Sequence, residues 1–519
     1  MSAPSALCLQ IFARRLCLAV LFLLPALPAP AEPFAGPGFD QRMVAEVASA
    51  ALGFMVPRTL EAIPPGQLTI WGLRGLTAID PRLIAELTPQ TLRLTLSGRT
   101  ILTRPPPMGP GGITAWGEAI GQFSRAAWDF SEPVRRSGTE GILRSFFEEL
   151  FNHLDPYSRY ATPQEAAEEE GVRYGRAGLG IDIATGRSGF VVRSVLPASP
   201  AAQAAIHPGD VVLEIDGAPL QGADLTAVAA LMRGPEGSET SITLRSAGRL
   251  VRTIALRRAI LAPPTVFAQR QGDLLVIRVS SFARDTSEAM AREIIRAADA
   301  SRPPKGLVID MRGNRGGLLR QAVSMAETLL SSGRIASTAG RDPLSVHEYN
   351  ASGTDLWRGL PVVIVVDGRT ASSAEIFAAA LSDQRRAVVV GSATLGKGLV
   401  QTILPLPDGG ALSLTWSRVL APLGWPLQAL GVLPQVCTSL GEEPLKHILA
   451  ELAQGRQPMA RALTRHREAR APMPPAEILE IRNSCPASEG RETDMLAAKY
   501  LIDTPQAYAT ALIPQPIIP

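Results

Sequence analysis

Hydrophobic and polar positions divide the chain into stretches of different period. From about Gly38 to Tyr160 helical spacing dominates: Val44 to Val56 is an apolar, alanine-rich helix, and Ile142, Phe146, Leu150 and Phe151 share one face of another. Between them Leu92, Leu94 and Leu96 alternate as in a strand, and Ser97-Gly98 turns the chain into Arg99 to Leu102. A Pro/Gly-rich loop follows over Arg104 to Gly112. From Gly178 to Arg258 the pattern changes to short strands: one opening at Gly178-Leu179-Gly180-Ile181, then Gly189 to Val195, Val211 to Ile215, Ser241 to Leu244 and Leu250 to Leu256. The turn His207-Pro-Gly-Asp210 and a short helix over Asp224 to Met232 punctuate them. From about Leu274 strand and helix alternate. Leu274 to Val279 and Leu307 to Met311 read as strands, Asp285 to Ala298 and Leu319 to Leu330 as helices, which predicts an α/β core. After about Leu445 helical segments alternate with Pro and Gly breaks and end in PQPIIP.

The stretch Val362 to Gln401 concentrates the candidate chemistry. An apolar β-branched run, Val362 to Val366, meets Asp367-Gly368, and Ala371 to Leu381 then fills with helix formers. Ser372 falls at that junction. A second β-branched run, Ala387 to Val390, ends in the glycine-rich turn Gly391 to Gly398, which carries Lys397. A serine hydroxyl needs a base to act as a nucleophile, and a lysine desolvated among apolar neighbours such as Leu395, Leu399 and Val400 is such a base. The helix beginning beside Ser372 would offer N–H groups to an oxyanion. The plainer alternative is that Ser372 caps a helix and Lys397 is a solvated charge. Gly391 to Gly398 also approaches the phosphate-binding G-x-x-x-x-G-K-[ST] pattern, but Gly398 stands where the magnesium-binding hydroxyl belongs.

Composition narrows the setting. With 519 residues, 46% of them hydrophobic, about three or four domains with real cores are expected. The formal charge of +3 points to no nucleic-acid partner. Arg14-Arg15, the apolar run Leu16 to Leu27 and Ala29-Pro30-Ala31 fit a secretory signal over residues 1–31, an uncleaved anchor being the alternative. The expected location is therefore outside the cytoplasm, in a periplasm. Cys8 and Cys17 leave with that signal; Cys437 and Cys485 remain, as a disulfide or as two buried thiols. No metal-ligand spacing appears, and His153, His207, His347, His447 and His466 are scattered. No metal or cofactor is expected.

TASSAEIFAAALSD followed by VVVGSATLGKGLVQ resembles the active-site region of the C-terminal processing (tail-specific) peptidases, serine proteases with a Ser/Lys dyad and an embedded PDZ domain. KGLVIDMRGNRGGLL, HLDPYSRY and LPDGGALSLT are similar to further segments of that family, so the likeness runs from about Phe146 to Gln435. It implies Ser372 as nucleophile, Lys397 as general base and Gln401 as the group orienting it, with N–H groups of Gly317 and Ser373 holding the oxyanion. It further implies a crotonase-like ββα-superhelix core. The β-rich stretch resembles a PDZ domain, which implies a terminal carboxylate held near Leu179 and Gly180 and a peptide strand added beside Ile181 and Ile183.

The expected fold is multidomain α+β. A signal peptide occupies 1–31, a mostly helical scaffold 32–165, the PDZ domain 176–258, the protease core 265–440 and a tail 441–519. The expected function is an exported endopeptidase acting on proteins with free, apolar C-termini. An adaptor protein and membrane association are left open, and a catalytically silent PDZ-bearing scaffold is the alternative. Three positions depart from the family pattern or sit oddly in it. Arg315 stands where a small residue or proline is usual, Ser373 puts a rival hydroxyl beside Ser372, and Gln435 replaces an aspartate. Asp383 matches a family aspartate, but a continuous helix would put it roughly 16 Å from Ser372, which favours a structural role.

Overall fold

The computed structural model describes residues 38–512 except 109–111, 188 and 247–249. The expected signal over 1–31 lies outside the described residues. The N-terminal unit comprises helices α1 (Gln41–Arg58), α2 (Pro65–Ile79), α3 (Gly112–Phe130) and α4 (Glu132–Phe151). A small antiparallel sheet, β1 (Leu83–Leu87), β2 (Leu92–Leu96) and β3 (Arg99–Arg104), closes it. The apolar face predicted from Ile142, Phe146, Leu150 and Phe151 is buried together with Val44, Leu52, Met55 and Leu73. Leu406, Leu412 and Leu414 of the protease core enter the same apolar cluster, so the two units share side chains rather than merely touch.

Strand β4 (Arg159–Ala161), helix α5 (Pro163–Tyr174) and strand β5 (Arg176–Gly178) lead into the PDZ domain. Its strands are β6 (Ile181–Gly186), β7 (Gly189–Val195), β8 (Val211–Ile215), β9 (Ala218–Pro219), β10 (Glu239–Arg245) and β11 (Val251–Arg257). Helices α6 (Pro200–Gln203) and α7 (Leu225–Leu231) complete it, and the main sheet runs β11-β10-β8-β7-β6. Strand β6 is therefore an edge, with α7 packed beside it and capped by Asp224 through Ala227 N–H at 2.8 Å. The exit strand β12 (Ala259–Leu261) pairs antiparallel with β5, so entry and exit form one two-stranded neck.

The protease core is built on a six-stranded sheet in the order β13 (Val266–Gln271), β14 (Leu274–Val279), β15 (Gly306–Asp310), β18 (Val362–Val366), β19 (Val388–Gly391) and β22 (Val436–Cys437). From β14 onward neighbours are parallel, joined by crossovers that contain α8 (Thr286–Ala298), α9 (Leu319–Glu327) and α10 (Ser373–Asp383). The near-continuous apolar sequence of these strands suits a sheet covered on both faces. A second sheet holds β16 (Arg334–Ala339), β17 (His347–Asn350), β20 (Leu399–Pro405) and β21 (Ala411–Leu420), with β4 of the N-terminal unit paired to β21. Helix α9 stops at Glu327, short of the predicted Leu330, where Thr328 turns its hydroxyl onto the Met325 carbonyl at 2.7 Å.

The stretch read as a tail is helical and part of the core. Helices α11 (Glu442–Ala453), α12 (Ala460–Glu468), α13 (Pro475–Asn483), α14 (Glu492–Asp503) and α15 (Pro505–Ala511) contribute to the same apolar cluster as the sheet. Tyr508 accepts the Val362 N–H at 3.0 Å, and Ile502 fills the space a side chain at Gly306 would need. Cys437 and Cys485 are both buried and joined, which selects the disulfide over free thiols and ties this helical cover to the sheet. The bond closes a sequence separation of 48 residues. Replacing both cysteines by serine is expected to lower the unfolding free energy by about 2–4 kcal/mol. Urea unfolding of the two proteins checks this, and equal midpoints would show that packing alone holds the cover.

Candidate active site

The site forms at the carboxyl ends of the parallel strands, where open α/β sheets gather ligands. The turn after β15 carries Asn314 to Gly317, the turn after β18 carries Asp367 to Ser372, and the turn after β19 carries Lys397. Asp367 knits the first two together, since its Oδ1 accepts the N–H groups of Gly313 at 3.0 Å, Arg369 at 3.0 Å and Thr370 at 2.9 Å. Buried Asn314 completes the lock. Its Nδ2 donates to the Val279 carbonyl at 2.9 Å, its Oδ1 accepts Gly316 N–H at 2.8 Å, and its own carbonyl accepts Ala371 N–H at 2.9 Å.

Two glycines are required by this approach. A Cβ on Gly316 would lie 2.8 Å from Ser372 Cβ and 3.0 Å from Ser373 N, and one on Gly317 would lie 2.2 Å from the Phe282 carbonyl oxygen. Both also hold positive φ, 93° and 144°. The Gly317 and Ser373 N–H groups donate to no described residue, which leaves two donors beside Ser372. Ser372 itself has φ 58° and ψ −121°, a strained conformation for a residue with a side chain and one that clusters at active sites.

The two serines differ in setting. Ser373 is buried and its hydroxyl donates to the Gly317 carbonyl at 2.9 Å, whereas Ser372 is partly exposed on a cavity of about 1290 Å³. Lys397 lines that cavity too. Burial is the main cause that pulls its amine below the ordinary lysine value, and the charges of Arg159 and Arg173 act in the same direction against Asp155 and Glu375. Of the expected apolar neighbours, Leu399 and Val400 line the same cavity, whereas Leu395 is half exposed; the Lys397 Nζ also sits 4.6 Å from the centre of the Tyr157 ring.

Gln401 was expected to orient the lysine. Its amide instead donates to the Leu399 carbonyl at 3.1 Å and to Thr415 Oγ1 at 3.0 Å, and it makes no hydrogen bond to Lys397. Thr415 Oγ1 donates onward to Asp155 at 2.8 Å, and Ser158 Oγ accepts Thr415 N–H at 2.9 Å. Gln401 thus serves a polar chain that fastens strand β20 to the DPYS segment of the N-terminal unit. Asp383 sits at the far end of α10, bonded to Trp425 Nε1 at 2.8 Å and to Arg467 Nε at 3.0 Å, away from the cavity.

The residue that reading by motif passed over is Glu375. It is fully buried, and each of its oxygens receives two donors: Oε2 takes Ser372 N–H at 2.7 Å and Lys397 N–H at 2.9 Å, while Oε1 takes Gly396 N–H at 2.7 Å and the Thr394 hydroxyl. Burial pushes its carboxyl upward and these four donors pull it back. Its position three residues after Ser372 is the S-x-x-E spacing of a capping box, a signal present in the sequence. The same bonds remove the nucleotide alternative. Gly396 and Lys397 N–H groups serve Glu375, Gly398 N–H serves Gln428 at 2.9 Å and Leu395 N–H serves Thr370 at 3.0 Å, so no phosphate cradle remains.

In the PDZ domain, Leu179 and Ile183 are buried, Ile181 is partly buried and Gly180 takes φ 81°. The carbonyls of Leu179 and Gly180 are held by Ala201 and Leu196 N–H groups, whereas their own N–H groups donate to no described residue.

A strained serine at a helix start, a desolvated lysine lining the same cavity and two unspent N–H groups are an arrangement suited to nucleophilic hydrolysis by a serine. Residues 273–438 match the model of peptidase family S41, and residues 191–246 match a PDZ domain model. A carboxy-terminal-processing protease of Bartonella bacilliformis is 34% identical over 308 residues, which span 59% of this chain and 70% of that protein. A probable CtpA-like serine protease of Staphylococcus aureus is 31% identical over 310 residues, spanning 59% of this chain and 62% of that one. Among solved structures, a photosystem II D1 C-terminal processing protease is 24% identical, with 73% of this chain and 97% of that chain aligned at a TM-score of 0.36. The chain belongs to peptidase family S41, among the carboxy-terminal-processing serine proteases.

Glu375→Gln preserves shape but turns an amide NH2 towards two of the four donors. It is expected to cost about 2–4 kcal/mol of stability and to speed exchange of the Ser372, Gly396 and Lys397 amides. Denaturant unfolding and hydrogen exchange check it; protection unchanged at all three amides would mean that the clasp does not hold these turns.

Proposed function

We propose that this protein is an exported endopeptidase that takes a free, apolar C-terminus on its PDZ domain and cuts the same chain at Ser372. Lys397, neutral at the outset, accepts the Ser372 hydroxyl proton as Oγ attacks the scissile carbonyl. The tetrahedral oxyanion receives hydrogen bonds from Gly317 and Ser373 N–H groups. The Lys397 ammonium then returns the proton to the leaving amine. A water deprotonated by the same lysine releases the acyl group and restores Ser372. The observation that carries this reading is the Glu375 carboxylate, which fixes the backbones of Ser372 and Lys397 at a single buried point.

On the PDZ domain, the free N–H groups of Leu179 and Gly180 are suited to a terminal carboxylate, and the β6 edge to an added strand. Ile181 and Ile183 supply apolar surface for its side chains. Export rests on the charged and apolar pattern of residues 1–31. A periplasm accommodates the disulfide.

With a loosely folded substrate ending in apolar residues and the chain starting at Glu32, Ser372→Ala and Lys397→Ala are each expected to lower kcat/KM by about 10³-fold or more. Cleavage that survives Ser372→Ala and fails in Ser373→Ala would move the nucleophile by one residue. Amidating the substrate's C-terminus is expected to weaken binding in calorimetry with the isotherm otherwise intact. Equal affinity for acid and amide would remove the PDZ carboxylate site.

The acid limb of the pH profile should follow deprotonation of Lys397, rising with pH through an apparent pKa below the lysine reference of 10.5. Arg173 disfavours the ammonium, so Arg173→Gln is expected to raise that pKa and shift the limb to higher pH. A shift to lower pH, or none, would separate the limb from Lys397.

A further inference from the structure

The turn that carries Gly317, one of the two oxyanion donors, also carries a charge the reaction does not use. Three arginines surround it. Arg312 bonds Asp310 at 2.7 Å and Asp494 at 3.2 Å, and Arg369 faces Glu489 at 3.4 Å and Asp367 at 4.0 Å. Arg315 differs from both. It is exposed on the cavity wall two residues before Gly317 and forms no hydrogen bond or ion pair with any described residue. The backbone on each side of it is fixed, by Asn314 and by Gly316 N–H on Asn314 Oδ1, so its starting point does not drift.

Other parts of the same wall are also basic. Arg159 and Arg173 both pair with the one carboxylate of Glu169, while Arg176 is exposed and has no carboxylate partner among the described residues. Lys397 aside, the cavity holds four guanidinium groups (Arg159, Arg173, Arg176 and Arg315) against two carboxylates (Glu168 and Glu169), a surplus of 4 − 2 = +2. A cleft lined by one sign of charge concentrates ligands of the other. A guanidinium without a partner presents a planar fork that fits a carboxylate with two parallel hydrogen bonds.

We propose that Arg315 forms a subsite for a substrate carboxylate close to the scissile bond, with Arg176 adding to the attractive field. The inference rests on the reading that Ser372 and Lys397 hydrolyse a chain in this cavity. Two extended residues span about 7 Å, and an extended substrate rises about 3.3 Å per residue. The carboxylate therefore belongs within a few residues of the carbonyl held at Gly317. It is supplied either by an Asp or Glu side chain or by the substrate's own C-terminus. The preference is distinct from that of the PDZ domain, because it reads the cut and not the captured end.

The test uses the chain from Glu32 and a set of peptides in which Asp replaces Asn at successive positions on both sides of the cut, each with a free or amidated C-terminus. The expected result is an Asp-over-Asn ratio in kcat/KM of about tenfold at one or two neighbouring positions, falling to near one in Arg315→Gln. A preference that persists on amidation assigns the side chain. One that appears only with the free terminus assigns the terminal carboxylate. Ratios near one at every position and for both termini, or a preference that survives Arg315→Gln, overturn the proposal. Anisotropy binding of the same peptides to Ser372→Ala separates the two layers of inference. Discrimination in binding with no cleavage by the unaltered chain keeps the subsite and sinks the peptidase reading, whereas no cleavage and no discrimination sink both.

Discussion

Everything at the catalytic centre depends on one buried carboxylate with four donors. Ser372 and Lys397 lie on turns that follow different strands, and nothing in either turn alone brings them to one cavity. Glu375 does so by accepting the N–H of each on a single oxygen. Desolvating a carboxylate is expensive, and only a full set of donors makes it tolerable. The arrangement is consequently all or nothing, since a lost donor leaves charge uncompensated in the interior. Fixed dipoles positioned before the reaction are also what makes an oxyanion site effective. The same bonds help to hold the strained backbone of Ser372, because its N–H is drawn to Glu375, and the absence of a side chain at Gly316 leaves room for its Cβ.

The lysine's setting comes from outside the protease core. The Tyr157 ring sits over its Nζ, Asp155 and Ser158 hold strand β21 through Thr415, and Leu406, Leu412 and Leu414 are buried in the N-terminal unit. The helical scaffold is thus part of the site and not a neighbour packed beside it. The PDZ domain is attached differently, through the β5–β12 neck that follows directly on α5. Helix α5 contributes Glu168, Glu169, Val172 and Arg173 to the catalytic cavity. Any displacement of that neck would alter the charge near Lys397, because Arg173 sits one turn from it in sequence.

What the sequence made legible follows from range. Strand runs such as Leu274 to Val279 and Val362 to Val366 are local patterns and appear where expected, as do Gly189 to Val195 and Val211 to Ile215. The turns that carry Ser372 and Lys397 were visible because glycines and a helix start mark them within forty residues. The contact of Gln401 with Thr415 was not legible, because it forms only when β20 and β21 pair across a bulge between Val400 and Gln401. Tyr157 has no legible role in the sequence, since its contact with Lys397 spans 397 − 157 = 240 residues. The helical segments after Leu445 were legible, but their role was not, for the same reason: their apolar faces gain meaning only against a sheet formed by residues far earlier.

Gln435 illustrates how a departure from a family pattern becomes sensible once its surroundings are known. It is fully buried beside the end of α10, where Asp383 already carries a negative charge matched by one cation, Arg467. Arg467 also donates to Ser382 Oγ, the atom that the Gln435 amide bonds at 3.0 Å. An aspartate at 435 would add a second buried anion to a cluster with a single positive charge, at a cost of several kcal/mol per unpaired ion. Glutamine avoids that charge and uses both ends of its amide, accepting Val389 N–H at 2.9 Å and donating to Ser382. The side chain thereby links β19, the strand that delivers Lys397, to α10, the helix that begins at Ser372. The catalytic turns are held at one end of this pair by Glu375 and at the other by a neutral bridge.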